Sequence, residues 1–173
     1  MVHGIDCATD CTKRVGAIKQ MGADFVGRYY RLPHSQYHPL TATEAQALSH
    51  GDLKIVSLWE SRSDALDHFS HATGVDEGTS AYRQAMKAGQ PPRTPIYFAV
   101  DFDCSHAGIV GAVNDYFRGV ADGFSTIGAG NPAYDVGVYG SGNTCVSGPG
   151  WLCLQAGVDL TPSRTGTSNN LLK

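Results

Sequence analysis

The fold of this chain is decided by residues 95–103, which read Pro-Ile-Tyr-Phe-Ala-Val-Asp-Phe-Asp. The almost unbroken apolar run is typical of a strand that is buried on both faces. Strand side chains alternate, so Asp101 and Asp103 project to the same side as Tyr97, whereas Phe98 faces the opposite side, where helices cover a parallel sheet. The run therefore predicts a central strand with two carboxylates at its carboxyl end.

Two carboxylates at one strand end are typical of acid–base hydrolysis, which needs neighbouring acids of different proton affinity. A metal ion can use the same pair as ligands. The plainer alternative is that one Asp caps the following helix while the other is solvated, although a cap needs only one acid. We interpret Asp101 and Asp103 as a candidate catalytic pair.

The composition is that of one globular domain of 173 residues, with 42% hydrophobic and 17% charged residues. A formal net charge of −3 and scattered Lys and Arg give no basic patch for nucleic acid or for an acidic membrane surface. No apolar stretch reaches the roughly 20 residues of a membrane span. Residues 1–6 read as a strand rather than a signal peptide, so we expect either a removed export segment or an internal protein.

Strand and helix patterns alternate along the sequence. Strands are predicted at 2–6, 24–30, 54–60, 96–103, 134–139 and 151–155. Helices are predicted at 9–21, from a Thr41-Ala42-Thr43-Glu44 capping box through Leu48, at 79–88 and at 109–124. This alternation implies parallel strands joined by right-handed crossovers, in an open sheet or a closed barrel.

The position of the polar residues favours the barrel. A polar side chain stands at the carboxyl end of strand after strand, namely Asp6, Tyr30, Glu60, Asp103, Tyr139 and Gln155. A β/α barrel builds its active site from that edge, whereas an open sheet concentrates polar groups at one switch point. We therefore predict an α/β fold, an irregular TIM-type (β/α) barrel.

Four strand motifs together resemble one family: Gly4-Ile5-Asp6, Gly27-Arg28-Tyr29, residues 96–103, and Gly137-Val138-Tyr139-Gly140-Ser141-Gly142. They resemble the bacterial glycoside-hydrolase-like domains (the Rv2525c-like family), which are in turn similar to the family 25 lysozymes. The resemblance covers roughly residues 3–156. It implies a β/α barrel that acts on a cell-wall glycan such as peptidoglycan, or a related carbohydrate, without a cofactor. It also places Asp101 and Asp103 on the catalytic pair and Asp6 on the first-strand acid.

Two departures from the lysozyme pattern bear on activity and on completeness. Asp103 stands where the lysozymes have Glu, and the loss of one methylene shortens the reach of a general acid. Residues 157–173 are rich in Ser, Thr, Gly and Asn, and a closed barrel typically needs about 250 residues. We therefore expect a barrel domain over 1–156 that is incomplete at its C-terminus, followed by an irregular or truncated tail over 157–173.

Further side chains are candidates for the same rim. Glu60 is a possible third acid or substrate ligand, or simply a solvated loop-edge residue. Tyr30, Tyr139 and Gln155 are candidates for sugar binding; as an alternative, the two tyrosines fill the barrel interior. Arg28 pairs with an acid of the site if it turns inward, and is a surface cation if it turns outward.

The cysteines and histidines do not form a recognised metal motif. Five cysteines cannot all pair within one chain, and Cys7-x-x-x-Cys11 lacks the partner ligands of a zinc site, so we interpret the cysteines mainly as free thiols. His68 and His71 are most simply a solvent-exposed pair. We expect no metal site.

Three functions remain open at this point. The first is a glycosidase that uses Asp6, Asp101, Asp103 and Glu60. The second is a barrel that binds glycan without cleaving it. The third reads residues 100–103 as the nucleophile motif of a magnesium-dependent phosphatase, although that motif belongs to a first strand and needs a downstream Lys. The resemblance favours a secreted or cell-wall-associated protein, although the chain shows no signal peptide.

Overall fold

A computed structural model of the chain describes residues 2–62, 64–102, 107, 109–140, 152–155 and 163–164. Strands and helices alternate through these residues. The strands are β1 (Gly4–Asp6), β2 (Phe25–Tyr30), β3 (Lys54–Trp59), β4 (Pro95–Val100), β5 (Asp135–Gly140), β6 (Leu152–Gln155) and β7 (Ser163–Arg164). The helices are α1 (Val15–Gln20), α2 (Ala42–His50), α3 (His71–Ala88) and α4 (Asn114–Ile127). Short 3-10 helices lie at Thr12–Arg14 and Leu66–His68, and a π-helical turn lies at Ile109–Val113.

One sheet holds all seven strands in chain order, from β1 to β7. Each strand from β1 to β6 pairs in parallel with the next, and β7 pairs antiparallel with β6. Sequential order without a reversal is the order of a β/α barrel and lacks the switch point of an open sheet. The six parallel strands form a curled sheet, a half-barrel that is compatible with an incomplete TIM-type barrel. None of the described helices is long and apolar enough to cross a bilayer.

The two faces of the sheet carry different side chains. The convex face, which includes Phe98 and Val100, packs with Tyr116 and the other buried residues of the helices. The concave face buries a smaller cluster of Tyr29, Leu58, Tyr97 and Leu154. The predicted orientation of the fourth strand, with Tyr97 inward and Phe98 under the helices, is confirmed.

Helices α3 and α4 pack backbone against backbone, because each carries two glycines four residues apart at the contact. An added Cβ would lie 2.0 Å from the Tyr116 carbonyl oxygen at Gly74 and 2.7 Å from the Val120 carbonyl oxygen at Gly78. The relation is reciprocal, since Cβ atoms at Gly119 and Gly123 would strike α3 carbonyl oxygens at 2.1 and 2.7 Å. Only glycine permits this approach.

These glycines also explain why the sequence predicts the start of this helix too late. The predicted helix begins at Thr79, whereas α3 begins at His71 with Ser70 as its N-cap. Glycine lowers intrinsic helix propensity by about 1 kcal/mol, so Gly74 and Gly78 weaken the local signal. The helix forms there because the tertiary contact with α4 outweighs the local preference.

We expect Gly74→Ala to lower the free energy of unfolding by about 3 kcal/mol, because the new methyl group forces α3 and α4 apart. Gly16→Ala is the matched control, since Gly16 lies in α1 and its added Cβ would meet no atom within 4 Å. That variant should be unchanged or more stable by about 0.5–1 kcal/mol. Urea denaturation of both variants measures the difference; equal midpoints would contradict the close contact.

Candidate active site

Three carboxylates lie at the carboxyl edge of the parallel strands. Asp6 ends β1, Glu60 follows β3 and Asp101 follows β4. Asp6 and Asp101 are exposed, and the Glu60 side chain is 29% exposed. The strands therefore bring three of the four predicted acids to one edge, while Asp103 lies outside the described residues.

Two concave-face tyrosines connect these acids. Burial raises the pKa of Tyr139, and the negative charges of Asp6, Asp101 and Glu60 raise it further, so all three lie close enough to act on one phenol. Tyr29 donates a hydrogen bond to Asp6, with 2.5 Å between Oη and Oδ2. Burial and this bond raise the pKa of Tyr29. We call these five residues the acidic mouth.

Arg31 supplies a positive charge beside the acidic mouth. Its guanidinium lies 4.2 Å from the ring centroid of Tyr29 and 5.1 Å from that of Tyr37. Its Nη1 donates to Glu60 Oε2 at 3.2 Å, while its buried Nε has no hydrogen-bond partner among the described residues. Stacking between two phenol rings holds the guanidinium in place, so Glu60 has a fixed ion-pair partner.

The backbone at Glu60 is also fixed, through hydrogen bonds made by the side chains of its two neighbours in the chain. Trp59 Nε1 donates to the buried carboxylate of Glu77 at 2.9 Å, and Ser61 Oγ donates to the same carboxylate. Tyr116 Oη donates at 2.6 Å, so Glu77 ties the end of β3 to both α3 and α4. Because residues on both sides of Glu60 are bonded to one helix side chain, its backbone has little freedom to move.

Arg28 lies elsewhere than the sequence suggests. Its side chain is fully buried and pairs with Glu44 of α2, with 2.6 Å between Nε and Oε1 and 2.9 Å between Nη2 and Oε2. It also donates to the carbonyl oxygen of Cys7 at 2.8 Å. Arg28 is thus neither a ligand of the mouth nor a surface cation, and its burial argues against contact with a substrate.

The capping box at the start of α2 explains this pairing. Thr41 Oγ1 accepts a hydrogen bond from the Glu44 amide at 3.2 Å, as the sequence predicts. A capping-box Glu normally reaches back to the N-cap amide. The Glu44 carboxylate instead binds Arg28 and the amide of Cys11, the latter at 2.8 Å.

Tyr30 faces the helices, and Tyr29 takes the position in the mouth. Tyr30 is fully buried on the convex face and donates to Gln90 at 2.9 Å. Strand alternation makes Tyr29 and Arg31 the inward residues, but two adjacent tyrosines give no local signal for the correct phase. The side chain of Gln155, the last residue of β6, lies outside the described residues.

One described cleft lies away from the acidic mouth. A cleft of about 570 Å³ opens at the amino ends of β3 and β4, between the carboxyl ends of α2 and α3. Residues 54–56 of β3 pair with β2 but have no partner in β4, which leaves this opening. The carboxylates lie at the other end of the strands, so we assign the candidate chemistry to the mouth.

Among the described residues, which do not include Asp103, no group of three or more His, Cys, Asp or Glu side chains is arranged to hold a metal ion. The strand that leads to Asp101 is the fourth in the sheet rather than the first, which argues against the phosphatase interpretation.

Comparison with known proteins identifies the family of this chain. A family model described as "Rv2525c-like, glycoside hydrolase-like domain" matches residues 16–171. The chain belongs to this family. The crystal structure of the Tat-secreted protein Rv2525c of Mycobacterium tuberculosis, in complex with L-tartrate, superposes with a TM-score of 0.65 at 26% identity, covering 82% of this chain and 69% of that one.

Two curated relatives come from Bacillus subtilis (strain 168). The chain is 30% identical to "Uncharacterized protein YbfG" over 54% of its own length, and 27% identical to "Uncharacterized protein FadG" over 81%. It spans only 13% and 24% of the lengths of those two proteins. The shared part is therefore one region of longer chains.

We expect Arg28→Met to lower the free energy of unfolding by about 3–5 kcal/mol, because it leaves the Glu44 carboxylate buried and unpaired. The double variant Arg28→Met/Glu44→Leu should recover much of that loss. Arg118→Ala is the control, since the Arg118–Asp115 pair is exposed and its loss should cost less than about 1 kcal/mol. Urea denaturation gives all three values; an Arg28→Met variant as stable as the wild type would contradict the structural role of the buried pair.

Proposed function

We propose that this chain acts on a cell-wall or related glycan such as peptidoglycan and hydrolyses O-glycosidic bonds with the carboxylates of the acidic mouth. The observation that carries the proposal is that Asp6, Glu60 and Asp101 stand at the carboxyl ends of β1, β3 and β4, on one edge of the parallel sheet, and that all three raise the pKa of Tyr139. Membership of a glycoside-hydrolase-like family supports the same reaction class. Similarity to the family 25 lysozymes, and hence lysozyme-like cleavage, is part of this proposal.

Each acid has a separate role in this mechanism. Asp101, exposed at the end of β4, stabilises the positive charge that develops near the anomeric centre of the sugar. Asp103, two positions further on, donates the proton to the leaving oxygen. Glu60 is engaged by Arg31 and suits a fixed negative charge better than a proton donor. Asp6 is oriented by the Tyr29 hydroxyl and completes the anionic wall.

Tyrosine hydroxyls and rings provide the sugar contacts. Tyr139 is half-buried at the same edge of the sheet, so its ring can pack on a sugar face while its hydroxyl hydrogen-bonds to the hydroxyl groups of the sugar. Gln155 ends the next strand, in register with Gly140, and is a further candidate ligand.

We further propose an exported protein that is secreted or associated with the cell wall. The relative Rv2525c is described as Tat-secreted. Cys153 of this chain forms a disulfide bond, and disulfides persist mainly in oxidising compartments.

A barrel that binds glycan without cleaving it is the second candidate. Two of the three described acids, Asp6 and Glu60, are already engaged by Tyr29 and Arg31. The remaining proton donor, Asp103, is shorter than the Glu of the lysozyme pattern. Both features favour recognition over turnover.

We expect Asp101→Asn to reduce turnover by at least about 10³-fold while folding and glycan binding are retained, because it removes a charge needed chiefly in the transition state. A reducing-end assay on peptidoglycan and chitin-type oligomers, run with wild type and variant across pH, tests this. Unchanged turnover in the variant would reject the assigned site. Binding without turnover in the wild type would favour the second candidate.

Tyr29→Phe and Tyr30→Phe form a matched pair of neighbouring variants. We expect Tyr29→Phe to lower turnover by about 10-fold with little loss of stability, because Asp6 loses its orienting hydrogen bond. Tyr30→Phe should instead cost about 1 kcal/mol of stability and leave turnover unchanged, because its bond to Gln90 lies under the helices. The same assay with urea denaturation separates the two, and the opposite pattern would reject the assignment of Tyr29 to the mouth.

A further inference from the structure

The turn that follows β1 holds two thiols that the proposed glycan chemistry does not use. Cys7 and Cys11 are both free, with Cys7 partly exposed and Cys11 fully buried. The two sulfur atoms converge on one acceptor, because each Sγ lies 3.4 Å from the carbonyl oxygen of Thr9.

The buried ion pair of Arg28 and Glu44 fixes this turn at both ends. Arg28 Nη1 binds the carbonyl oxygen of Cys7, and Glu44 Oε1 accepts from the amide of Cys11, both at 2.8 Å. Both backbone ends of the turn are therefore held, while the two sulfur atoms share the Thr9 carbonyl oxygen as an acceptor.

The two thiols differ in acidity. Burial alone raises the pKa of Cys7, but hydrogen bonds from the Cys11 thiol and from Thr9, together with the charge of Arg28, lower it overall. Burial is the largest cause that raises the pKa of Cys11, to about 12, and the neighbouring Cys7 adds to it. An accessible thiol of lowered pKa beside a buried one of raised pKa is the arrangement of an attacking and a resolving cysteine.

We propose that Cys7 and Cys11 form a reversible disulfide by exchange with a small disulfide such as oxidised glutathione. The Cys7 thiolate attacks one sulfur of the small disulfide, whose S–S bond breaks, and the leaving thiolate takes up a proton. Cys11 then loses its proton and attacks Cys7 Sγ, which expels the second small thiol. In sum, two protein thiols are oxidised to one disulfide and the small disulfide is reduced to two thiols.

This modification site goes beyond the proposed hydrolysis, although it lies next to the acidic mouth. Asp6 is joined directly to Cys7 and ends a strand of only three residues. A disulfide across residues 7–11 closes a ring onto that strand end and restrains the segment that carries Asp6.

Peptide mapping tests the proposal directly. Trypsin cleaves after Lys13, so residues 1–13 form one peptide that contains both thiols and no other cysteine. The folded protein is equilibrated in glutathione buffers of increasing oxidation, quenched with acid, alkylated with iodoacetamide under denaturing conditions and digested. We expect the doubly alkylated peptide to be replaced by an unalkylated peptide whose mass is two hydrogen atoms below that of the reduced, unalkylated peptide. When dithiothreitol is added before alkylation, the doubly alkylated peptide should return.

Single-serine variants check the order of attack. Cys11→Ser should accumulate glutathione on Cys7, because no resolving thiol remains. Cys7→Ser should leave Cys11 reduced and alkylated only after denaturation, because Cys11 is fully buried. A wild-type peptide that stays doubly alkylated in the most oxidising buffer would overturn the proposal, and equal glutathione uptake by both variants would overturn the assigned roles. The wild-type result decides the disulfide even if a variant fails to fold.

Discussion

The buried ion pair between Arg28 and Glu44 is the interaction on which the site depends most. β1 is three residues long and pairs only with β2 in the described sheet, so its ladder alone holds the Asp6 end weakly. Arg28 projects from β2, binds Glu44 of α2 and donates to the carbonyl oxygen of Cys7. One fully buried guanidinium thus joins the first two strands to α2. The desolvation cost of such a pair is offset only when its hydrogen bonds are well formed, as the bidentate geometry provides.

Glu77 has the corresponding role on the other side of the mouth. Its buried carboxylate accepts from the residues on both sides of Glu60 and from Tyr116 of α4. In both cases a buried acid on a helix, which is not part of the mouth, orients the backbone that presents an acid of the mouth. The mouth is therefore a surface feature whose geometry is set by polar contacts under the helices. Buried Arg28 contributes to that geometry through the backbone next to Asp6 rather than by contact with a substrate.

The sequence was sufficient to predict the succession of elements and the edge where the acids meet, because hydrophobic periodicity and strand-end positions are local properties. It was not sufficient for features that depend on distant contacts. The start of α3 is hidden by Gly74, whose value lies in its contact with Tyr116 of α4. The phase of β2 was not readable either, since Tyr29 and Tyr30 are equally suited to a strand and only pairing with the neighbouring strands decides which faces inward.

The close contact of α3 and α4 has a consequence for how the molecule fluctuates. These helices flank β4, and Phe98 of that strand packs on the rings of Tyr116 and Phe124, so opening this region would separate tightly fitted backbones. β1, which ends in Asp6, is three residues long and pairs only with β2 in the described sheet. Amide hydrogen exchange is slowest where opening exposes the most packed surface. We therefore expect amide exchange to be slower in β4, which leads to Asp101, than in β1, which ends in Asp6.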